Sequence, residues 1–186
     1  EHCYIVLRRL CGETLEARVK RTGPLDSTSA LVVMADALVG LSDLHAKNII
    51  HRDIKASNIL LDEEDRATLL DLGVALDRLD GSAATPPHHT VGTPEFMSPE
   101  QRATGHVDAR SDLYQVGLAL LYALTARRPE LTESGETRQP ASLPHRVTRD
   151  LERALHPDPA RRYGSSQEMR AAVIEVCREV ETVEIE

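Results

Sequence analysis

Four polar residues have the types and the spacing needed to do chemistry together. Asp53 and Lys55 lie in the run HRDIKASN, Asn58 ends that run, and Asp71 follows two short apolar runs. A carboxylate can orient an attacking hydroxyl group, and a nearby ammonium group can offset negative charge on the group that is attacked. The amide oxygen of Asn58 and the carboxylate of Asp71 are oxygen ligands of the kind that Mg²⁺ prefers. The set therefore suits metal-assisted transfer of a phosphoryl group.

These residues must be positioned by a helix that precedes the run and a hairpin that follows it. Apolar side chains at helical spacing predict a helix over residues 27–47, with Asp26 or Ser27 as its N-cap and Asn48 as a left-handed end. Two short apolar runs around the acidic turn 62–65 predict a small β-hairpin with a solvated turn. The hairpin strands are predicted at 59–61 and 68–70, and the core side of the helix at Leu31, Met34, Ala35, Leu38 and Leu41.

The second half of the chain is predicted to be mainly helical. Residues 111–126 are apolar on nearly every face, which predicts a helix buried on all sides at the centre of the core. A polar connection over 127–146 leads to a short helix over 147–155, and a last amphipathic helix begins at Ser165 or Ser166. The fold is therefore expected to be mainly α with a small β-hairpin. The apolar face of the last helix is predicted to contain Met169, Ala172, Val173, Val176 and Val180.

Composition and charge exclude several classes of protein. Of the 186 residues, 41% are hydrophobic and 28% charged, so one folded domain is expected rather than a disordered chain. A net charge of −8 argues against nucleic acid as a partner, because a polyanion would be repelled. Three cysteines at unrelated spacings favour a reducing, intracellular setting over a disulfide framework or a zinc site. The stretch 116–126, taken as the longest strongly apolar one, is shorter than the roughly 20 residues that span a bilayer, so no membrane contact is expected.

Several ordered motifs carry a resemblance to one enzyme family. The run at 51–58 matches the pattern H-R-D-x-x-x-x-N, and DLG at 71–73 and SPE at 98–100 follow it in order. These motifs resemble the C-terminal lobe of a eukaryotic-like Ser/Thr protein kinase, with wording closest to the bacterial, Hanks-type members. The resemblance runs from a hinge near Leu7 to the final helix. It implies a protein-kinase-like C-lobe, a fold that is α+β when complete.

The resemblance implies a role for each residue of the polar set. Asp53 would orient the hydroxyl group of the substrate, and Lys55 would offset the charge of the γ-phosphate. Asn58 and Asp71 would bind Mg²⁺ or Mn²⁺, so ATP and a divalent cation are the implied cofactors. Thr93 resembles the loop threonine that bonds Asp53 and Lys55 and helps to place the acceptor hydroxyl.

The resemblance places the adenine ring between a hinge and an apolar floor. Leu7 would be the gatekeeper, backbone groups at Arg8 and Leu10 would hydrogen-bond adenine, and Leu60 would lie under the ring. Arg8 and Arg9 depart from the acidic and aromatic residues that the family usually has in the hinge. Because adenine is read mainly by backbone groups, binding is expected to survive this change.

Other matched residues are expected to support the site rather than react. His51 resembles a core histidine of the regulatory spine, and Leu72, before Gly73, replaces the usual Phe with another apolar side chain. Asp112 resembles the aspartate that clamps the backbone of the catalytic loop, with a solvated helix cap as the alternative. A buried, structural ion pair is expected between Glu100 and Arg162.

A regulatory loop is expected after the DLG motif. Residues 81–93 are rich in small residues, Pro and His, which predicts a mobile loop. Kinases with Arg before the catalytic Asp often use it to grip a phosphate on this loop, which implies that role for Arg52. Thr85 and Thr90 are the candidate phosphorylation sites.

Motifs of the second kinase lobe do not occur in these residues. The sequence contains no loop of the pattern G-x-G-x-x-G, no strand lysine of V-A-I-K and no αC glutamate. We therefore expect residues 1–181 to be the hinge and C-lobe of a kinase domain that has an upstream portion, and residues 182–186 to begin a linker or tail. The segment alone is predicted to bind ATP poorly and to have little or no phosphotransferase activity.

The leading hypothesis is an ATP- and Mg²⁺-dependent protein Ser/Thr kinase that acts on Ser and Thr hydroxyls of protein substrates. The alternative is a pseudokinase or truncated kinase that works as a partner-binding module, and a small-molecule phosphotransferase ranks third. Retention of all four polar residues favours the enzyme, because a scaffold does not need them. A cytoplasmic domain is expected, while a homodimer for activation and a membrane anchor elsewhere in the parent protein stay open.

Overall fold

The structure is a computed structural model that describes residues 9–71, 94–130 and 137–183. The predicted loop over 81–93 lies outside these residues. Three short strands and six α-helices are described, together with three single-turn 3₁₀ helices at Ala56–Asn58, Pro94–Phe96 and Pro159–Arg161. The strands are β1 (Glu13–Thr14), β2 (Ile59–Leu61) and β3 (Ala67–Leu69). The helices are α1 (Leu15–Thr22), α2 (Ser27–His45), α3 (Pro99–Thr104), α4 (Ala109–Thr125), α5 (His145–Ala154) and α6 (Ser166–Val183).

The predicted hairpin is the larger part of a three-stranded antiparallel sheet with the order β1-β2-β3. Ile59 of β2 faces Leu69 of β3, so the second strand begins and ends one residue earlier than predicted. The sequence did not predict β1, which pairs with β2 through Glu13 and Leu61. Gly12 makes this pairing possible, because a Cβ atom there would lie 2.0 Å from the Leu61 carbonyl oxygen.

The helix α2 begins where the sequence predicts and ends two residues early. The side chain of Asp26 accepts a hydrogen bond from the Ser29 amide at 2.8 Å, so Asp26 is the N-cap. Asn48 has the predicted left-handed backbone, with φ of 56°. All five predicted core positions of α2 are buried. The helix packs mainly against α6, and also against β3 and α4.

Length and composition would also allow α2 to span a membrane. The expectation that no apolar stretch is long enough is therefore wrong for this helix, because its few polar residues leave the average hydropathy high. Eight of its side chains are buried against the rest of the fold, as in the core helix of a folded domain.

The centre of the core is α4. Every side chain from Ser111 to Leu124 is buried, as the sequence predicts. The N-cap is Asp108, whose side chain accepts from the Ser111 amide at 3.2 Å, so Asp112 is not the cap. Ala126 ends the helix with a left-handed φ of 53°. Because Asp108 caps the helix, the side chain of Asp112 is left for other hydrogen-bond partners.

Two helices after α4 close the core. The short helix α5 begins two residues before its predicted start, and α6 begins at Ser166. Of the two predicted caps of α6, Ser165 is the N-cap, because its Oγ accepts from the Glu168 amide at 3.1 Å. Met169, Val173 and Val176 are buried on the predicted apolar face of α6, and Ala172 is partly buried against the same core. The fold is thus mainly α with a small sheet, and the fold-class prediction is confirmed.

Two helical glycines give a matched test of this packing. A Cβ atom on Gly117 would lie 2.9 Å from Leu155 Cδ2 and 3.1 Å from Ala154 Cβ, whereas one on Gly40 would meet nothing closer than Leu69 Cδ1 at 3.8 Å. Gly117→Ala should therefore lower the free energy of unfolding by about 1–3 kcal/mol, since α4 would be pushed from α5. Gly40→Ala should raise it by up to about 1 kcal/mol, because alanine favours the helix. Urea denaturation of both variants measures the difference, and a shift of the same sign in both would contradict this account.

Candidate active site

Three of the four polar residues meet in the segment between α2 and β2. Lys55 Nζ lies 2.7 Å from Asp53 Oδ2, and Asn58 Nδ2 donates to the same oxygen at 3.2 Å. Asn58 Nδ2 also donates to the Asp53 carbonyl oxygen at 2.9 Å. Asp53 and Asn58 are each only 8% exposed. The Asp53 carboxylate is therefore held in one orientation by a cation and an amide.

Asp71 is brought to this cluster by the end of β3. The amide of Leu70 donates to the Asn58 carbonyl oxygen at 2.8 Å, which places the next residue beside Asn58. Asp71 is exposed and has a left-handed φ of 62°, so the chain turns sharply at this point. The two predicted metal ligands thus lie on adjacent segments.

The donor set fits a magnesium ion that is shared with a phosphate. Because Asn58 Nδ2 points to Asp53, the amide oxygen is the end of this side chain that can bind a cation. The described part of the chain contains no cluster of three or more His, Cys, Asp or Glu that could hold a metal alone. Mg²⁺ commonly takes one or two protein oxygens and completes its shell with phosphate and water, which this pair of residues allows.

The backbone before Asp53 is held by Asp112, at the start of α4. Asp112 Oδ1 accepts from the Arg52 amide at 2.8 Å, and Oδ2 accepts from the His51 amide at 2.9 Å. His45 Nε2 lies 2.9 Å from the same Oδ2. The side chain of Asp112 is fully buried, so these bonds replace all of its hydration. The geometry matches the clamp that the family resemblance implies.

His51 links the segment that contains Asp53, Lys55 and Asn58 to the strand that leads to Asp71. Its side chain is buried, and Nε2 lies 3.1 Å from the Leu70 carbonyl oxygen. In the described residues Nδ1 has no hydrogen-bond partner. The side chain is therefore part of the packing between the two segments, in keeping with its predicted structural role.

Glu100 and Arg162 form a two-point ion pair that fixes α3 to the segment before α6. Arg162 Nη1 and Nη2 donate to Glu100 Oε1 and Oε2, each at 2.8 Å, and Ser111 Oγ donates to Oε1 at 2.7 Å. Arg162 has no exposed side-chain surface, and its guanidinium lies over the Tyr114 ring at 4.7 Å. Burial alone would raise the pKa of Glu100, but the hydrogen bonds from Arg162 and Ser111 outweigh it and lower that pKa to about 2.

The predicted adenine site is described only in part. Leu60 is half-buried on β2, on the opposite face of the sheet from the buried Ile59 and Leu61. Leu10 is 40% exposed. Arg52 is partly buried, but both of its predicted phosphate partners lie outside the described residues. The other predicted residues that lie outside are Leu7, Arg8, Leu72, Gly73 and Thr93, in addition to Thr85 and Thr90.

A small pocket opens beside the Asp53–Lys55 pair, and the sequence did not predict it. Its volume is about 100 Å³. Phe96 and Tyr122 pack edge to face on one wall, with ring centroids 6.5 Å apart. Arg128 is held at the rim by an ion pair with Glu95. The pocket is lined by Glu16, Lys55, Ala56, Ser57, Phe96, Tyr122 and Arg128.

Comparison of the sequence with known protein families shows the family to which the chain belongs. The chain matches the family described as "Protein kinase domain" over residues 1–180. The chain belongs to the protein kinase family. The kinase interpretation of the HRD, DLG and SPE motifs is therefore confirmed.

The curated relatives of this chain include bacterial serine/threonine-protein kinases. It is 34% identical to serine/threonine-protein kinase PknB of Mycobacterium leprae and 35% identical to PknB of Mycolicibacterium smegmatis, with 93% of the chain and 30% of each relative covered. It is also 35% identical to serine/threonine-protein kinase PknA of Corynebacterium glutamicum, with 92% of the chain and 39% of that protein covered. The chain thus spans about a third of the length of these relatives.

Three contacts of the kinase site were missed by the sequence reasoning. His45 contacts Asp112, while Gln101 and Gln115 contact the backbone beside Asp53. Gln101 directly follows the SPE motif, and Gln115 lies three residues after Asp112, on the same face of α4. Those positions were the available signal, because a buried amide in a helix needs a specific partner.

The Glu100 carboxylate makes the stability of this kinase chain depend on acid. Its pKa is lowered in the folded state, so its contribution is complete above its ordinary pKa of 4.5 and is lost as the pH falls towards about 2. That contribution should be up to about 3 kcal/mol at neutral pH. We expect Glu100→Gln to remove this part of the pH dependence of unfolding in urea.

Exposed Glu64 is the matched control. Glu64→Gln should keep the wild-type dependence on pH, because this side chain lies in the solvated turn. Equal acid sensitivity of Glu100→Gln and the wild type would show that the ion pair is not the source of the pH dependence.

A second variant tests the other partner of the ion pair. Arg162→Met should lower the free energy of unfolding by about 3–5 kcal/mol at pH 7, since it leaves a half-buried carboxylate without its partner.

Proposed function

We propose that this chain carries the phosphoryl-transfer residues of an ATP- and Mg²⁺-dependent protein serine/threonine kinase. The observation that carries the proposal is the buried Asp53 carboxylate, held by Lys55 Nζ at 2.7 Å and Asn58 Nδ2 at 3.2 Å. Membership of the protein kinase family and relatives named serine/threonine-protein kinases support it.

Asp53 is the group that would act on the acceptor hydroxyl. Its carboxylate would accept the hydrogen bond of that hydroxyl and aim the oxygen at the γ-phosphorus. It would receive the proton as the new oxygen–phosphorus bond forms and the bond from the γ-phosphorus to the leaving ADP breaks. Lys55 supplies positive charge beside this carboxylate. The same ammonium would offset the negative charge on the oxygens of the transferred phosphoryl group.

Asn58 and Asp71 are the residues that would hold the metal. The amide oxygen of Asn58 and the carboxylate of Asp71 offer the hard ligands that a magnesium ion needs. When bound, ATP would supply the phosphoryl group, and the magnesium ion would neutralise part of the negative charge of its phosphates. The hydrogen bond from the Leu70 amide to the Asn58 carbonyl oxygen keeps these two residues on adjacent segments.

A protein acceptor is favoured by the pocket beside Lys55. A Ser or Thr side chain that reaches Asp53 brings its neighbours in the peptide over this pocket, where two aromatic rings offer apolar contact.

We propose the cytoplasm as the place of action, since ATP is supplied there. The low activity of the 186 residues alone stays a prediction, based on the missing G-x-G-x-x-G and V-A-I-K motifs.

The test compares two aspartate substitutions in the natural full-length protein. Asp53→Asn should lower kcat for transfer of labelled phosphate from MgATP to a protein substrate by at least about 100-fold, because the proton acceptor is lost. Asp43→Asn changes an exposed aspartate of α2 in the same way and should leave transfer within about twofold.

Two outcomes would contradict the proposal. Transfer by Asp53→Asn at the wild-type rate would exclude Asp53 as the reacting carboxylate. A wild-type protein that transfers no phosphate, but retains partner proteins, would favour the binding-module hypothesis instead.

A further inference from the structure

One buried glutamine side chain bridges the two peptide groups on either side of Asp53. Gln115 Oε1 accepts from the Ile54 amide at 2.9 Å, and Gln115 Nε2 donates to the Arg52 carbonyl oxygen at 2.9 Å. Gln115 is 1% exposed, on α4. A single rigid amide therefore fixes the backbone immediately before and immediately after the residue that would react.

A second buried glutamine fixes the orientation of the first. Gln101 Oε1 accepts from Gln115 Nε2 at 3.0 Å, and Gln101 Nε2 donates to the Arg52 carbonyl oxygen at 3.1 Å. Gln101 is 4% exposed, on α3. Both N–H groups of Gln115 are thereby used, and a rotated amide would place oxygen against oxygen at Arg52 and Gln101. The pair has one favourable arrangement.

The backbone at this point needs to be held. Arg52 has φ of 71°, a left-handed conformation that is unfavourable for a residue with a side chain. Asp112 holds the Arg52 amide, while the two glutamines hold its carbonyl. Rotation of either peptide group around Asp53 would break at least one buried hydrogen bond. Packing alone does not require an amide here, because methionine has a similar volume.

We propose that Gln115 is a positioning residue for Asp53 and that Gln101 locks it in place. The proposal rests on the proposed function, in which Asp53 receives the hydroxyl proton. It places the effect of the glutamines on the transfer step rather than on nucleotide binding, since neither side chain contacts the predicted metal ligands in the described residues.

Three methionine variants of the natural full-length protein test this. Gln115→Met should lower kcat by about 10- to 100-fold with little change in the KM for ATP, because a small misplacement of a reacting group is enough for such a loss. Gln101→Met keeps the bond to Ile54 and should cause a smaller loss of the same kind. Leu118→Met alters an equally buried residue of α4 that makes none of these hydrogen bonds, and it should stay within about twofold of wild type.

Hydrogen exchange gives a readout that does not depend on activity. The Ile54 amide should exchange at least about tenfold faster in Gln115→Met than in the wild type or Leu118→Met, because its buried acceptor is gone. In Gln101→Met its protection should fall less. If Gln115→Met does not fold, the kcat and exchange of Gln101→Met decide the matter.

The outcomes separate this proposal from the proposed function. Unchanged Ile54 protection, a parallel rise in the KM for ATP, or an equal loss of kcat in Leu118→Met would overturn the positioning role. A wild-type protein without phosphotransfer would overturn the proposed function, and the exchange data would then still decide whether Gln115 holds the segment.

Discussion

The carboxylate of Asp112 lies where the central helix α4 begins and accepts hydrogen bonds from the backbone amides of two consecutive residues, His51 and Arg52. Because Asp112 is fully buried, these hydrogen bonds replace the hydration of its carboxylate. A shift of the segment on the helix would leave a buried carboxylate without hydrogen-bond donors. The positions of Asp53, Lys55 and Asn58 follow from this attachment, since all three lie within the next few residues. The site is therefore an extension of the core rather than a loop resting on it.

The central helix can serve in this way because it is itself immobilised on every side. Apolar contacts surround it from Ser111 to Leu124, and α5 approaches so closely that Gly117 has no room for a side chain. The ion pair of Glu100 and Arg162 attaches the segment before it to the segment before α6. Hydrophobic burial thus keeps α4 rigid, and a few buried polar groups attach the segment around Asp53 firmly to it.

Sequence reasoning found the parts of this kinase that depend on local pattern. The cluster of Asp53, Lys55 and Asn58 was found because HRDIKASN is contiguous, and α2 and α4 were found because apolar side chains recur over many turns. The strand at Glu13 was missed because two residues are too few to show alternation. Gln101 and Gln115 were missed because their partners are backbone groups of a distant segment, which the positions beside SPE and Asp112 do not identify by themselves. The ends of α2 and β3 moved by one or two residues, as expected where caps and turns compete.

The direction of these contacts along the chain also bears on how the protein is made. Asp112 lies 61 residues after His51, and Gln115 lies 61 residues after Ile54, so every described side chain of the clamp except His45 is synthesised after the segment that it holds. A nascent chain that has left the ribosome as far as Asp53 but not as far as α4 contains the Asp53 carboxylate without the residues that hold its backbone. The residues of the polar cluster are therefore synthesised well before the residues that hold them. We expect the cluster to assemble late in folding, after α4 has been made.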